Sequence, residues 1–411
     1  MEISSKNLKK AEIAIIFALT LLVLVGVFGI IQIHTKPVIP IEPYESALNT
    51  PWKLLVALYV FFVVSTTGLC IIAALGEVFG VRDLEPVVKD VLLMALVTIL
   101  VGLLTIGLEI ERVERGVFAM LGHTNPKSIM FWMIMFYLLY FIFLIGEMWF
   151  YFREDLILQA KTSKGIKRLI AKIILLGKLN GNKEIDKEFA KKIGFVEVVT
   201  AVMATSNLGA LFAVNYLPLW HDPLTPIYIL LTGIVSGSAL AIVGILSVGF
   251  LRGIDEEKMK AIQFLKLLLV FSLIVMIFFI IWRFLIKIYP TSNEVSILSI
   301  SLFFSKFLLN FWFFEIIVGI IVPLILLVLS SSVNRIFIAG LFVLVGIFVS
   351  RINFVIGGQI LKEISGGSVT YGIHPFEIMA ASGFIALAIL LYYIGYKLLP
   401  MGVKYEEKRF Y

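Results

Sequence analysis

Cysteine is almost absent: the single thiol is Cys70, inside an apolar run. One thiol excludes an intrachain disulfide framework, and it excludes an iron–sulfur cluster held by this chain alone, which needs several thiolates. Charge is scarce as well, at 15% of residues, where a soluble domain carries roughly 25%. The histidines number four, His34, His123, His221 and His374, each at the end of an apolar run or in the loop beyond it. A diheme membrane cytochrome needs paired histidines within its spans, so no intramembrane b-type haem is expected. Short alternating segments with regular turns, the mark of an outer-membrane barrel, are missing too. The net charge of +7 does not point to nucleic acid. The basic residues sit between apolar runs, where a phospholipid surface attracts them.

What fills the chain is hydrocarbon. Hydrophobic residues make up 60% of it, and the mean hydropathy is +1.02. The apolar runs reach about twenty residues or more, the length that crosses about 30 Å of bilayer as helix. Ten candidate spans follow, at roughly 11–34, 52–80, 86–108, 128–153, 192–215, 224–251, 261–289, 297–330, 333–355 and 375–399. The eighth is long enough to tilt or kink, with Pro323 as the kink site. The first follows Lys6, Lys9 and Lys10, as a signal peptide would. It is too long for a signal core and no small-residue cleavage site follows, so it reads as a retained span. No soluble domain fits between the runs and no internal repeat is visible. The expected fold is an all-α polytopic membrane protein, one integral membrane domain over residues 1–411.

Orientation follows from the loops. On the N-terminal side lie Arg82, Lys89, Arg252, Lys258, Lys260 and Arg335, together with a long loop over 154–191 that holds nine lysines and arginines. The opposite side has fewer, chiefly Lys36, Arg112, Arg115, Lys127 and Lys362, most with acidic neighbours. The positive-inside rule then puts both termini in the cytoplasm. Within the long loop, Ile166, Leu169, Ile170, Ile173 and Ile174 can share one helical face, with Lys167, Arg168, Lys172 and Lys178 mainly elsewhere. This pattern predicts a basic amphipathic helix on the cytoplasmic leaflet; a solvated loop helix is the plainer alternative.

Ionisable groups inside spans are costly, which makes each a functional candidate. Glu77, Glu147 and Glu197 lie toward the cytoplasmic side. Lys306, Asn310 and Glu315 lie deeper in the eighth span, Lys306 and Asn310 on one face at i, i+4. Asn207 lies in the outer half of the fifth span, and the exit from the third is crowded with Glu109, Glu111, Arg112, Glu114 and Arg115. Pairing between helices as structural glue is the plain explanation for any one of them. As a set, three acids toward the cytoplasm, one at mid-membrane and a polar cluster outside describe a proton-conducting series. Gly233 and Gly237 have the spacing that lets helices approach closely, a packing signal.

Several strings resemble a known family. They are Pro51-Trp52 through Tyr59 to Gly76; Leu108-Glu109-Ile-Glu-Arg112 through Asn125-Pro126-Lys-Ser128 to Trp132; Asn207-Leu-Gly209-Ala-Leu-Phe212 with Pro218-Leu-Trp220; and Arg351-Ile-Asn353 through Gly357-Gly358-Gln359 with His374-Pro375-Phe-Glu377. Their order and spacing are similar to the NrfD-like polysulfide-reductase membrane subunits, in the longer branch that includes hydrogenase quinone anchors. One stretch departs. Where the family would have an aspartate followed by glycine, arginine and proline, this chain reads Glu109-Ile-Glu-Arg112-Val-Glu114-Arg115. The acid and the arginine remain, but the turn chemistry differs.

The resemblance implies two four-helix bundles plus extra spans, in a prokaryotic cell membrane. It implies no metal in this chain, and a quinone, usually menaquinone, bound near the outer face. The implied partners are an iron–sulfur subunit docked there and, beyond it, a molybdenum or tungsten oxidoreductase or a hydrogenase. On that basis His123, Glu109 and Arg112 are expected at the rim of a quinone slot. Asn207, Lys306 and Asn310 would offer polar contacts, and Tyr59, Trp132 and Tyr137 a wall, since flat rings pack well on aromatics. Glu77, Glu147, Glu197 and Glu315 are the candidates for a proton path. The competing classes are a secondary transporter, although inverted repeats and paired broken helices are not evident, and an inert membrane anchor.

Overall fold

The computed structural model describes residues 5–35, 52–110, 125–215, 219–289, 303–364 and 373–401. Their helices are α1 (Ser5–Thr35), α2 (Leu54–Glu77), α3 (Val88–Glu109), α4 (Ile129–Thr162), α5 (Ile166–Ile174), α6 (Lys183–Ala213), α7 (Thr225–Arg252) and α8 (Glu256–Ile288). A π-helical segment (Leu308–Ile321) then leads into α9 (Val322–Leu329), and α10 (Val333–Ile364) and α11 (Pro375–Leu398) close the fold. Ten of the helical stretches are long and apolar enough to cross a bilayer.

These helices form two four-helix rings. In the first, α2 packs on α3 and α6, and α4 closes the ring against α3 and α6. In the second, α7 packs on α8 and α10, and the π-segment with α9 closes it. The rings meet where α2 lies against α7 and α10, while α1 and α11 pair beside α3. Two bundles plus a flanking pair is the arrangement the resemblance implied.

α2 is the hub. All its residues except Ile71 and Leu75 are buried, so it has no polar stripe facing water and its hydroxyls must be satisfied by neighbours. Ser65 and Thr66 each donate to the carbonyl four residues back, at 2.7 and 2.8 Å. Three consecutive hydroxyls then reach three different helices. Ser65 meets Ser236 on α7 at 2.9 Å, Thr66 meets Thr98 on α3 at 2.9 Å, and Thr67 meets Thr205 on α6 at 2.6 Å. Small residues bring the bundles together. A Cβ on Gly68 would lie 1.9 Å from the Gly233 carbonyl oxygen, and one on Gly237 would lie 2.5 Å from the Gly68 carbonyl carbon. The Gly233–Gly237 spacing is therefore half of a backbone contact whose other half is Gly68.

The two faces differ. On the near face, where α1 begins and α11 ends, ion pairs stitch the helices: Lys397 to Glu12 (2.9 Å), Lys258 to Asp90 (2.8 Å), Arg153 to Asp186 (2.7 Å) and Lys89 to Asp155. The far face is aromatic. Trp52 stacks on Trp220 with centroids 5.0 Å apart, and Phe212 sits edge-on to both. Gln359 donates to the Trp52 carbonyl at 2.7 Å, and Trp220 donates to the Phe354 carbonyl at 2.7 Å.

The connection expected over 154–191 is shorter in the structure, because α4 runs on to Thr162 and α6 starts at Lys183. Charge ends hydrophobicity there but not helicity. Arg153 and Asp186 tie the extended turns together, and the Asn182 side chain caps α6 by accepting from the amides of Glu184 and Ile185. Between them α5 holds Ile166, Leu169 and Ile173 out from the protein, with Lys167, Arg168 and Lys172 also exposed. At the eighth span, the passage from π to α geometry falls at Ile321–Val322, one residue before Pro323. Proline has no N–H to give and crowds the carbonyl four residues back.

Candidate functional site

Each of three helices of the first bundle contributes a stripe of polar groups to its interior. α2 supplies Tyr59, Thr67, Cys70 and Glu77; α4 supplies Tyr137, Tyr140 and Glu147; α6 supplies Glu197 and Thr205. The steps within α4 and α6 are multiples of about a helical turn, which is what keeps these side chains on the inward stripe. At 1.5 Å per residue, Tyr59 and Glu77 are separated by about 27 Å along α2, close to the thickness of the hydrocarbon.

The groups form a file. Near the near face the Glu77 and Glu147 carboxyls face each other, and Glu147 Oε1 presses on Gly194, where a Cβ would sit 2.8 Å away. Glu197 is next, against the Cys70 thiol. Cys70 Sγ lies 3.0 Å from the Tyr140 hydroxyl. Tyr137 follows, beside Tyr59 and Thr205. Glu77, Glu147 and Glu197 are each 3% exposed or less, and both oxygens of Glu77, Glu147 Oε2 and Glu197 Oε1 have no protein donor. These carboxyl oxygens are thus gathered, orphaned, in an apolar core, where an unpaired polar group is costly.

At the far end of the file the Tyr137 hydroxyl is aligned for a hydrogen bond to neither neighbour, and Asn207 Oδ1 is also buried without a partner. Asn207 itself is only half-buried. A hydroxyl on α4 and an acceptor on α6 thus stand unsatisfied toward the far face.

The second bundle holds a separate polar group. Glu315, on the π-segment, accepts from Ser350 Oγ (2.8 Å) and Asn353 Nδ2 (2.9 Å) of α10. Arg351 is buried beside them and donates to Thr232 of α7. Arg283 of α8 pairs with Asp222 at 2.7 Å and lies 4.4 Å over the Tyr228 ring. Tyr228, Arg283, Glu315, Ser350 and Asn353 line a cavity of about 90 Å³.

The structure therefore divides the residues singled out in the sequence. Glu77, Glu147 and Glu197 come together with Tyr59 and Tyr137 in the first bundle. Glu315 stands in the second, with Asn310 half-buried and Lys306 exposed on the residues leading to it. Glu109 is half-buried at the far end of α3. Trp132 is half exposed and donates to the Pro126 carbonyl at 2.9 Å, the posture of an interfacial anchor. His123 and Arg112 lie outside the described residues. The other three histidines serve local structure. His34 Nδ1 bonds the Ile30 carbonyl at 2.9 Å and His221 Nδ1 the Ala213 carbonyl at 2.8 Å. His374 caps α11 in a reciprocal pair with Glu377. Arg283, Arg351, Tyr228 and Tyr140 are site residues that sequence reasoning missed. The two arginines lie inside spans and carry the same signal as the glutamates, whereas nothing separates Tyr140 and Tyr228 from the other tyrosines. Among the described residues no cluster of three metal-ligating side chains occurs.

Known proteins share this sequence along most of its length. The chain is 27% identical over 408 residues to a selenate reductase subunit of Mesobacillus selenatarsenatis, covering 94% of this chain and 95% of that protein. It is 25% identical over 371 residues to the Hdr-like menaquinol oxidoreductase integral membrane subunit of Archaeoglobus fulgidus, covering 86% and 85%. The family model described as polysulphide reductase, NrfD, matches residues 43–362, which take in both bundles as far as α10. This chain belongs to the NrfD family of oxidoreductase membrane subunits.

Proposed function

We propose that this chain is the quinone-reactive membrane subunit of a respiratory oxidoreductase in a prokaryotic cytoplasmic membrane. The near face is cytoplasmic, as the positive-inside rule requires, and the far face receives an iron–sulfur subunit that leads to a catalytic subunit. The observation that carries this reading is the orphaned Tyr137 hydroxyl at the far end of the first-bundle file, with the orphaned Asn207 Oδ1 on α6 as a second polar group toward the same face. They match what a menaquinone head requires: a donor for a carbonyl and an acceptor for a hydroxyl, in an apolar slot. The names of both relatives, one of them a menaquinol oxidoreductase subunit, agree with it.

When bound, menaquinol supplies two electrons and two protons. In this reading Tyr137 and Asn207 hold and orient the head while Tyr59 packs beside it. Glu109 stands at the far end of α3, where protons leave or enter, and His123 and Arg112, which follow it in the sequence, are assigned to the same proton exchange. Trp132 anchors α4 at the interface, and Lys306 and Asn310 extend the polar rim from the second bundle. The Glu77, Glu147 and Glu197 carboxyls pass protons between the cytoplasm and the Cys70–Tyr140–Tyr137 segment, with Glu315 as a relay in the second bundle. α5 lies on the anionic leaflet through Ile166, Leu169 and Ile173, with its lysines and arginine at the headgroups.

The test is menaquinol oxidoreduction by the intact complex carrying Tyr137→Phe or Asn207→Leu. Each variant loses a hydrogen bond worth about 1 kcal/mol or more, so KM for quinol should rise several-fold while the iron–sulfur partner stays bound. Unchanged quinol kinetics in both variants would rule out this slot.

A further inference from the structure

The second bundle contains a cleft from which the proposed function uses only Glu315, as a relay. Beside the polar cavity lies an apolar trough of about 300 Å³ between α8 and the π-segment, walled by isoleucine, leucine and aromatic side chains. An apolar cavity of about half that size, ~150 Å³, is enough to admit a benzene ring. The trough and the cavity adjoin across Ile280, Phe284 and Phe311, which line both, and together they are taken as one cleft. Ile281 (51% exposed) and Trp312 (38% exposed) form the lip of the trough, so it opens on the outer surface of the bundle, where lipid lies. The π geometry of Leu308–Ile321 belongs to the same wall. π-turns are rare and concentrate at functional sites.

The polar end selects the head group. Glu315 takes hydrogen bonds from Ser350 and Asn353. Of the two arginines nearby, Arg283 lines the cavity but is paired with Asp222, and Arg351, which donates to Thr232, is not among the lining residues, so a phosphate head meets no free cation in the cavity wall. With Nδ2 given to Glu315, Asn353 leaves Oδ1 buried and without a donor, and Tyr228, whose hydroxyl neighbours Ser350, lines the same cavity. One acceptor and one hydroxyl suit an uncharged head bearing carbonyls or hydroxyls, and the trough suits a long hydrocarbon tail.

We infer that the α8/π-segment cleft is a second binding site, for an uncharged, oxygen-headed lipid of the prenylated quinone class, with its ring against Tyr228 and Asn353 and its tail in the isoleucine trough. The choice of quinone over another neutral lipid rests on the proposed function; the site itself rests on the cleft.

The experiment is to strip the purified complex of native quinone, place it in phosphatidylcholine nanodiscs, saturate it with menaquinone-4 and extract the quinone retained per copy of this chain. Two molecules are expected. Ile281→Trp fills the trough from its exposed lip and should leave one; Ile316→Phe does the same from the half-buried side, and unchanged thermal unfolding shows that both variants are folded. Tyr228→Phe should weaken the second molecule about threefold to tenfold, the loss of one hydrogen bond. Tyr137→Phe should leave this second molecule in place. One quinone per chain, weakened by Tyr137→Phe and untouched by Ile281→Trp, would overturn the second site and leave the proposed function standing. Retention of a neutral diacyl lipid that Ile281→Trp displaces, with no second quinone, would overturn the assignment to quinone. No quinone at either site would overturn both.

Discussion

Gly68→Ala changes one hydrogen into a methyl at the point where the two bundles touch. The added Cβ would lie 1.9 Å from the Gly233 carbonyl oxygen, 2.6 Å from its carbon and 3.1 Å from Gly237 Cα, where ordinary contact begins at 3.4 Å. All three are backbone or Cα atoms, so no rotamer change relieves the clash. α2 cannot retreat, because it is buried on every side. Overpacking a core costs about 1–3 kcal/mol and occasionally more; with rigid neighbours on both helices, about 3 kcal/mol is expected here. Gly107→Ala on α3 is the matched control. Nothing lies within 4 Å of its Cβ, and alanine is better than glycine in a helix by up to about 1 kcal/mol. Unfolding of the two variants by sodium dodecyl sulfate in mixed micelles, followed by circular dichroism, should give opposite shifts. Equal midpoints would refute the backbone contact between α2 and α7, and with it the packing that holds the bundles in register.

Other perturbations follow from the same geometry. Arg153→Ala leaves Asp186 buried without its partner and should cost about 3 kcal/mol in the same assay, whereas Lys192→Ala removes an exposed i, i+4 pair with Glu188 and should change stability by less than about 0.5 kcal/mol. Glu315→Leu strips the acceptor from Ser350 and Asn353 and should destabilise by about 1–3 kcal/mol without altering the Cys70–Tyr140 contact. Tyr140→Phe breaks the middle of the first-bundle file. In liposomes it should slow quinol-driven proton movement more than electron transfer, and equal slowing of both would argue against a proton route there.

Much of the fold was legible in the sequence because a bilayer leaves few options. Apolar runs of spanning length gave all ten helices, and the resemblance gave the two-bundle grouping. The helix ends were less visible. α4 and α6 continue beyond the hydrocarbon as charged helix, so hydropathy ends before the helix does. The site was legible only in part, since sequence gives depth along a helix but not which helices face each other. Glu315 is a buried glutamate within a span just as Glu197 is, yet α2 and α6 share one bundle while the π-segment belongs to the other. Histidine was the least informative type: His374 is only one more residue beside an apolar run in the sequence, and it acts as a helix cap in the fold.

That this chain binds quinone and hands electrons to a docked iron–sulfur protein is tested most directly by gentle detergent purification from native membranes. Quinone extraction and metal analysis are run on the same sample. Stoichiometric menaquinone is expected, together with iron on a co-purifying cysteine-rich partner. A clean single chain with neither quinone nor iron would contradict the proposal and would turn attention to solute transport.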